Sequence, residues 1–84
     1  MTLQIPTEVS HALSVAEAAC RVTPSRGYLA YALAYLQHIP NIQNEPDLRT
    51  QILYVLNNLA AWTGPAAREA KRVLSAYAEE GANA

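Results

Sequence analysis

A run of nine apolar residues, Tyr28–Leu36, restricts the possible folds of this chain more than any other feature. The run is too short to span a membrane as a helix, which takes about 20 residues. If it forms a helix, that helix is apolar on every side, and such a helix has to be covered by other elements. The run therefore predicts a helix at the centre of a domain or at a boundary between subunits.

The length and the composition bound the fold to one small domain. Because 84 residues are too few for two cores, residues 1–84 are predicted to form a single domain. A hydrophobic content of 51% and a net charge of −1 exclude a disordered chain. A single cysteine, Cys20, excludes an intrachain disulfide and a multi-cysteine zinc module. No basic segment leads into an apolar stretch at the N-terminus, and with the lack of disulfides this predicts a cytoplasmic protein.

The spacing of the apolar residues predicts an all-α fold, because no alternating run typical of a strand occurs. The predicted helices cover residues 8–22, 24–38, 45–62 and 65–80. They form a small four-helix domain built from two helical hairpins, helices 1–2 and helices 3–4. The third helix carries the clearest apolar stripe, at spacings of 4, 3, 4 and 3 residues: Leu48, Ile52, Val55, Leu59 and Trp62.

Several helix ends are marked by residues with known positional preferences. Thr7 and Asn44 are predicted to cap the first and third helices, because their side-chain oxygens accept from backbone N–H groups in the first turn. Pro24 is typical of the first residue of a helix. Gly81 is predicted to stop the fourth helix, since glycine takes the left-handed conformation without a steric clash, and residues 81–84 are then a frayed tail.

Patterns that carry catalysis or metal binding are missing from the sequence. His11 and His38 each lack a second histidine, cysteine or carboxylate at i+3 or i+4, and the three glycines are too isolated to form a phosphate loop. We therefore predict no enzymatic activity, no bound metal and no cofactor. Nucleic-acid binding is equally unexpected, because several cations have to act together and six basic residues are offset by seven acidic ones.

The second helix is predicted to use its two sides differently. One side, with Leu29, Leu33 and Leu36, is expected to face the intramolecular core. The other side holds the residues of a predicted partner interface or homodimer interface: Tyr28, Tyr31, Ala32 and Tyr35. Tyrosine is favoured at protein interfaces because it combines a large rigid ring with a polar tip. In the alternative interpretation the three rings cap the core of a monomer and point their hydroxyls at water.

These features favour a non-enzymatic helical interaction module, a regulator, adaptor or inhibitor that binds a larger protein and also self-associates. An alternative is a protein that binds or sequesters a small ligand or nucleotide in a pocket between subunits. There, tyrosine rings would stack on a planar group and Arg26 would hold an anion. Polar residues of the third helix are possible ligand or partner contacts: Gln51, Tyr54, Asn57 and Asn58. In the alternative interpretation, the third helix has a solvent-facing stripe: Gln51, Tyr54, Asn58 and Ala61.

Overall fold

A computed structural model describes residues 3–22 and 27–82 of the chain. Its α-helices are α1 (Thr7–Val22), α2 (Tyr28–His38), α3 (Glu45–Asn57) and α4 (Pro65–Ala82). A single 3₁₀ turn, Ile39–Asn41, follows α2 directly. No strand occurs in the described parts of the chain, so the predicted all-α fold is confirmed.

The four helices are arranged so that each packs mainly against two others. The first hairpin pairs α1 with α2, the second pairs α3 with α4, and the hairpins meet through the α1–α4 and α2–α3 contacts. The described chain has a radius of gyration of 12.0 Å, as expected for a compact chain of this length. The two predicted hairpins are therefore present, and α2 lies between α1 and α3.

The core is built from one apolar stripe of each helix. On α3, Leu48, Ile52 and Val55 have no exposed surface, and the same stripe continues through Leu59, which is also fully buried, to the partly buried Trp62. The side of α2 that was predicted to face the core does so: Leu29 and Leu36 are buried, and Leu33 packs against the buried cluster. Helical spacing thus predicted most of the buried side chains correctly.

The predicted end of the third helix is wrong, because α3 ends at Asn57 instead of residue 62. Asn58 caps this end: its backbone N–H reaches the carbonyls of Val55 and Leu56, and its Nδ2 donates to the Tyr54 carbonyl at 2.8 Å. Asparagine side chains compete with the backbone for such hydrogen bonds and are unfavourable inside helices. The apolar stripe continues beyond this point in a turn, not in a helix.

Other boundaries differ less from the prediction. The α1 helix begins at Thr7, and the Pro6 carbonyl accepts from the Ser10 N–H at 2.9 Å, so Pro6 takes the cap position that was predicted for Thr7. The Asn44 cap is confirmed, because its Oδ1 accepts from the Asp47 N–H at 2.9 Å.

Two predictions concern the ends of the second and fourth helices. The predicted start at Pro24 lies outside the described residues, and α2 is described from Tyr28, after Gly27 at φ 64°. The predicted stop at Gly81 is wrong, because α4 continues to Ala82. Glycine also tolerates helical geometry and no proline follows it here, so nothing forces the helix to end. The last two residues, 83–84, lie outside the described part of the chain.

Candidate interaction surface

Four tyrosines from two neighbouring helices lie together on one side of the domain. We call this surface the tyrosine face: Tyr28, Tyr31 and Tyr35 of α2 and Tyr54 of α3. Tyr28 is 68% exposed, Tyr31 61% and Tyr54 48%, whereas Tyr35 is half-buried and packs against the core. The rings of Tyr35 and Tyr54 are in contact, with centroids 5.5 Å apart and planes 31° apart. This contact makes one continuous surface of the two helices.

Helical spacing explains why the tyrosines of α2 share one side. Residues three, four and seven positions apart lie on the same side of a helix, so Tyr28, Tyr31 and Tyr35 form a ridge. The ridge borders α3, because its last member contacts Tyr54. Tyr28 and Tyr31 are exposed, while Tyr35 fits the alternative interpretation, in which the ring covers the core.

Ala32 does not belong to the surface to which it was assigned. Its side chain has no exposed area and is part of the buried core. It lies three residues after Leu29 and four before Leu36, so it falls on the same buried side of α2 as these leucines. The prediction that Ala32 contacts a partner is therefore corrected.

Two amide side chains that were considered as ligand contacts hold the backbone beneath the contacting tyrosines. Gln51 Nε2 donates to the Tyr35 carbonyl at 3.0 Å. That carbonyl is free to accept because the N–H of Ile39 donates to the Leu36 carbonyl as α2 tightens at its end. Asn58 Nδ2 donates to the carbonyl of Tyr54. Gln51 and Asn58 thus hold α2 and the end of α3 in place. Both side chains are half-buried, and their role as contacts to a ligand or partner stays a prediction.

The two remaining candidates have different outcomes. Asn57 is exposed on α3, at its last helical residue, and is available to a partner. Arg26 lies outside the described residues, so its proposed role in holding an anion stays a prediction.

The helix that supplies three of the four tyrosines of the tyrosine face carries no charged side chain. No Asp, Glu, Lys or Arg occurs in α2, whose sequence ends in His38. On α3 the most buried charge, Arg49, points towards α4 instead. Its guanidinium lies 4.0 Å from the centroid of the Tyr77 ring, and it also donates to the Tyr77 carbonyl and to Glu45. The hydrogen bond that Arg49 donates to the Glu45 carboxylate raises the pKa of Arg49 above its ordinary value.

Arg49 was not predicted from the sequence as an important residue. Its i,i+4 spacing from Glu45 is a visible signal for an ion pair. The contact with Tyr77, 28 residues away, depends on how α3 and α4 pack and leaves no trace in the local sequence.

One surface depression of the described chain lies away from the tyrosine face. The depression between α1 and α4 has a volume of about 240 Å³, smaller than the roughly 300–1,000 Å³ of ordinary ligand pockets. Its lining comes from those two helices: Glu8, His11, Ala12, Val15, Ala66, Glu69, Ala70 and Val73. Arg72 hydrogen-bonds Glu69 in this region and lowers the pKa of that carboxyl. The tyrosine face does not line this depression.

Two further findings apply to residues 3–22 and 27–82. No group of three or more His, Cys, Asp or Glu side chains there is placed to hold a metal ion. No helix in these segments has the length and apolar character needed to cross a membrane.

Comparison with known proteins found no matching family model and no significant match to a curated protein or to a solved structure.

Proposed function

We propose that this chain is a non-enzymatic interaction module that acts by binding a larger protein through the tyrosine face, as a regulator, adaptor or inhibitor. The observation that carries this proposal is the exposure of Tyr28 (68%) and Tyr31 (61%) on a helix without charged side chains. Tyrosine is enriched in protein interfaces, and burying an uncharged face avoids the cost of desolvating charges.

The size of the face supports the same proposal. With about 200 Å² for a fully exposed tyrosine, the exposed parts of Tyr28, Tyr31 and Tyr54 amount to about 350 Å². Apolar patches of about 300–600 Å² are the largest on ordinary monomers and are often functional. The face is also held in a fixed geometry, because Gln51 and Asn58 bind the carbonyls of Tyr35 and Tyr54. A preorganised surface loses less conformational entropy on binding.

A non-enzymatic role is favoured because the two histidines do not come together in one site. His11 and His38 are both exposed and lie on different helices. We propose a cytoplasmic location as well, because the single cysteine, Cys20, is buried in the core and suits a reducing compartment.

Site-specific photo-crosslinking in the cells that express the protein tests the proposal. A benzophenone amino acid at position 31 should give a discrete product heavier than two crosslinked copies of this chain, whereas the same group at exposed position 68 on α4 should not. Adding Tyr28→Ser to the position 31 variant should abolish the product. Equal labelling from both positions, or no product from position 31, would contradict the proposal.

The alternative function, a small-ligand pocket between subunits, stays a prediction. A thermal-shift panel of nucleotides and metabolites separates it from the interaction module. A rise of several degrees with one compound, lost in a Tyr31→Ser variant, would favour the pocket over a protein partner.

A further inference from the structure

We infer that the tyrosine face also binds a second copy of this chain, so that the free protein is a twofold-symmetric dimer joined through α2 and α3. This inference rests on the proposed function, because it names an occupant for the same surface. A larger partner and the second copy would compete for the face. The dimer would then bury the tyrosines until the larger partner displaces the second copy.

The absence of charge on α2 argues for a second copy as the occupant. In a twofold interface, each surface patch meets itself, so a face that carries charges of one sign repels its own copy. Of the described helices, α1, α3 and α4 all carry charged residues, and α2 carries none. The most buried charge of α3, Arg49, is held on the α4 side by Glu45 and Tyr77. The α2 part of the face, which supplies three of its four tyrosines, therefore meets its own copy without charge repulsion.

The exposed area fits a dimer that dissociates on dilution. A standard stable interface buries about 800 Å² on each partner. The exposed tyrosine surface of about 350 Å² supplies close to half of that area. Neighbouring exposed side chains extend the surface: Leu53 (45% exposed) and Asn57 on α3, and Ala34 on α2. The tyrosines would form the dry centre of the interface, and the amide and small side chains its rim.

The position of Tyr31 fixes where the twofold axis should pass. Tyr31 is the middle member of the ridge formed with Tyr28 and Tyr35, one helical turn from each. When two such ridges overlap along their full length about a twofold axis, the middle residue lies closest to the axis. Each Tyr31 then packs near the partner's Tyr31. Opposite charges introduced at this position in two different chains should therefore attract each other across the interface.

Light scattering and sedimentation velocity of the purified chain test the inference. The wild type should change from dimer to monomer on dilution. Tyr31→Glu and Tyr31→Lys should each be monomeric at concentrations where the wild type is dimeric, and their equimolar mixture should restore the dimer. Arg68→Glu, on the exposed part of α4, is the matched control and should dimerise like the wild type. Far-UV circular dichroism checks that every variant is folded, and Tyr31→Ser replaces any charged variant that loses helicity.

Four other results of these experiments would contradict the inference, and each would identify a different error. A wild type that stays monomeric while position 31 still crosslinks to a larger protein refutes the dimer and leaves the proposed function intact. A dimer that persists in Tyr31→Glu uses another surface. Monomeric single variants whose mixture stays monomeric refute the twofold arrangement at Tyr31. A monomeric wild type without any crosslink from position 31 refutes both the inference and the proposed function.

Discussion

Truncation of Tyr77 should cost far more stability than truncation of Tyr31, although both are helical tyrosines. Tyr77 is only 6% exposed, so about 190 Å² of it is buried, which corresponds to about 5 kcal/mol at roughly 25 cal/mol per Å². The cavity left by Tyr77→Ser adds to this loss. Tyr31 is 61% exposed, so about 80 Å² is buried, an upper limit of about 2 kcal/mol. Serine keeps the backbone and Cβ, and we expect a loss of about 1 kcal/mol for Tyr31→Ser.

Urea unfolding, followed by helical circular dichroism and by Trp62 fluorescence, measures both variants. A small domain has only about 5 kcal/mol of stability, so Tyr77→Ser should be largely unfolded without urea, whereas Tyr31→Ser should unfold in a single transition close to that of the wild type. The measurements should be made at low protein concentration, because self-association would stabilise the wild type but not the Tyr31→Ser variant. If the two variants lose similar amounts of stability, Tyr31 is a core residue and the tyrosine face is not available to a partner.

Three further outcomes are expected. Arg49→Gln should lower the melting temperature by several degrees, because it removes contacts between α3 and α4, whereas Arg21→Gln on exposed α1 should leave it unchanged. Asn58→Ala should reduce the free energy of unfolding in urea by about 1 kcal/mol, since the Tyr54 carbonyl loses its side-chain donor. Burial raises the pKa of Cys20 and of Tyr77, so these groups ionise at a lower pH in the unfolded chain than in the folded chain. The free energy of unfolding should therefore be at its full value below the ordinary thiol pKa of 9.0 and decrease as the pH rises above it. In Cys20→Ala the decrease near pH 9 should be smaller.

The α3 stripe shows what apolar periodicity predicts and what it does not. Spacings of three and four correctly marked Leu48, Ile52 and Leu59 as buried, because a turn can continue the direction of a helix face for another few residues. Periodicity does not report where the backbone hydrogen bonds of a helix end. That end is set by Asn58, and the consecutive pair Asn57 and Asn58 was a signal present in the sequence.

On α2 the apolar pattern predicts less, because nearly every residue of the helix is apolar and no polar residues mark its exposed side. Ala32 and Tyr31 are neighbours in an entirely apolar run, so hydropathy alone does not separate the buried residue from the exposed one. Side-chain size does not separate them either, because Ala34 of the same helix is exposed and Tyr35 is half-buried. The hydrogen bond from Gln51 to the Tyr35 carbonyl required the packing of α2 on α3 and was out of reach of local patterns.

Among the described helices, α2 differs from the others in the residues that fill its outward side. In a bundle where each helix packs mainly against two neighbours, every helix retains an outward side. The outward sides of α1 and α4 carry charged residues, among them Glu17, Arg21 and Arg72, which form ion pairs along their own helices. Such residues keep a surface hydrated. On α2 the same position is filled by Tyr28 and Tyr31, which the fold does not need to bury. Their exposure is therefore a property of the sequence that the packing of this domain does not explain, and that the proposed binding to another protein surface would explain.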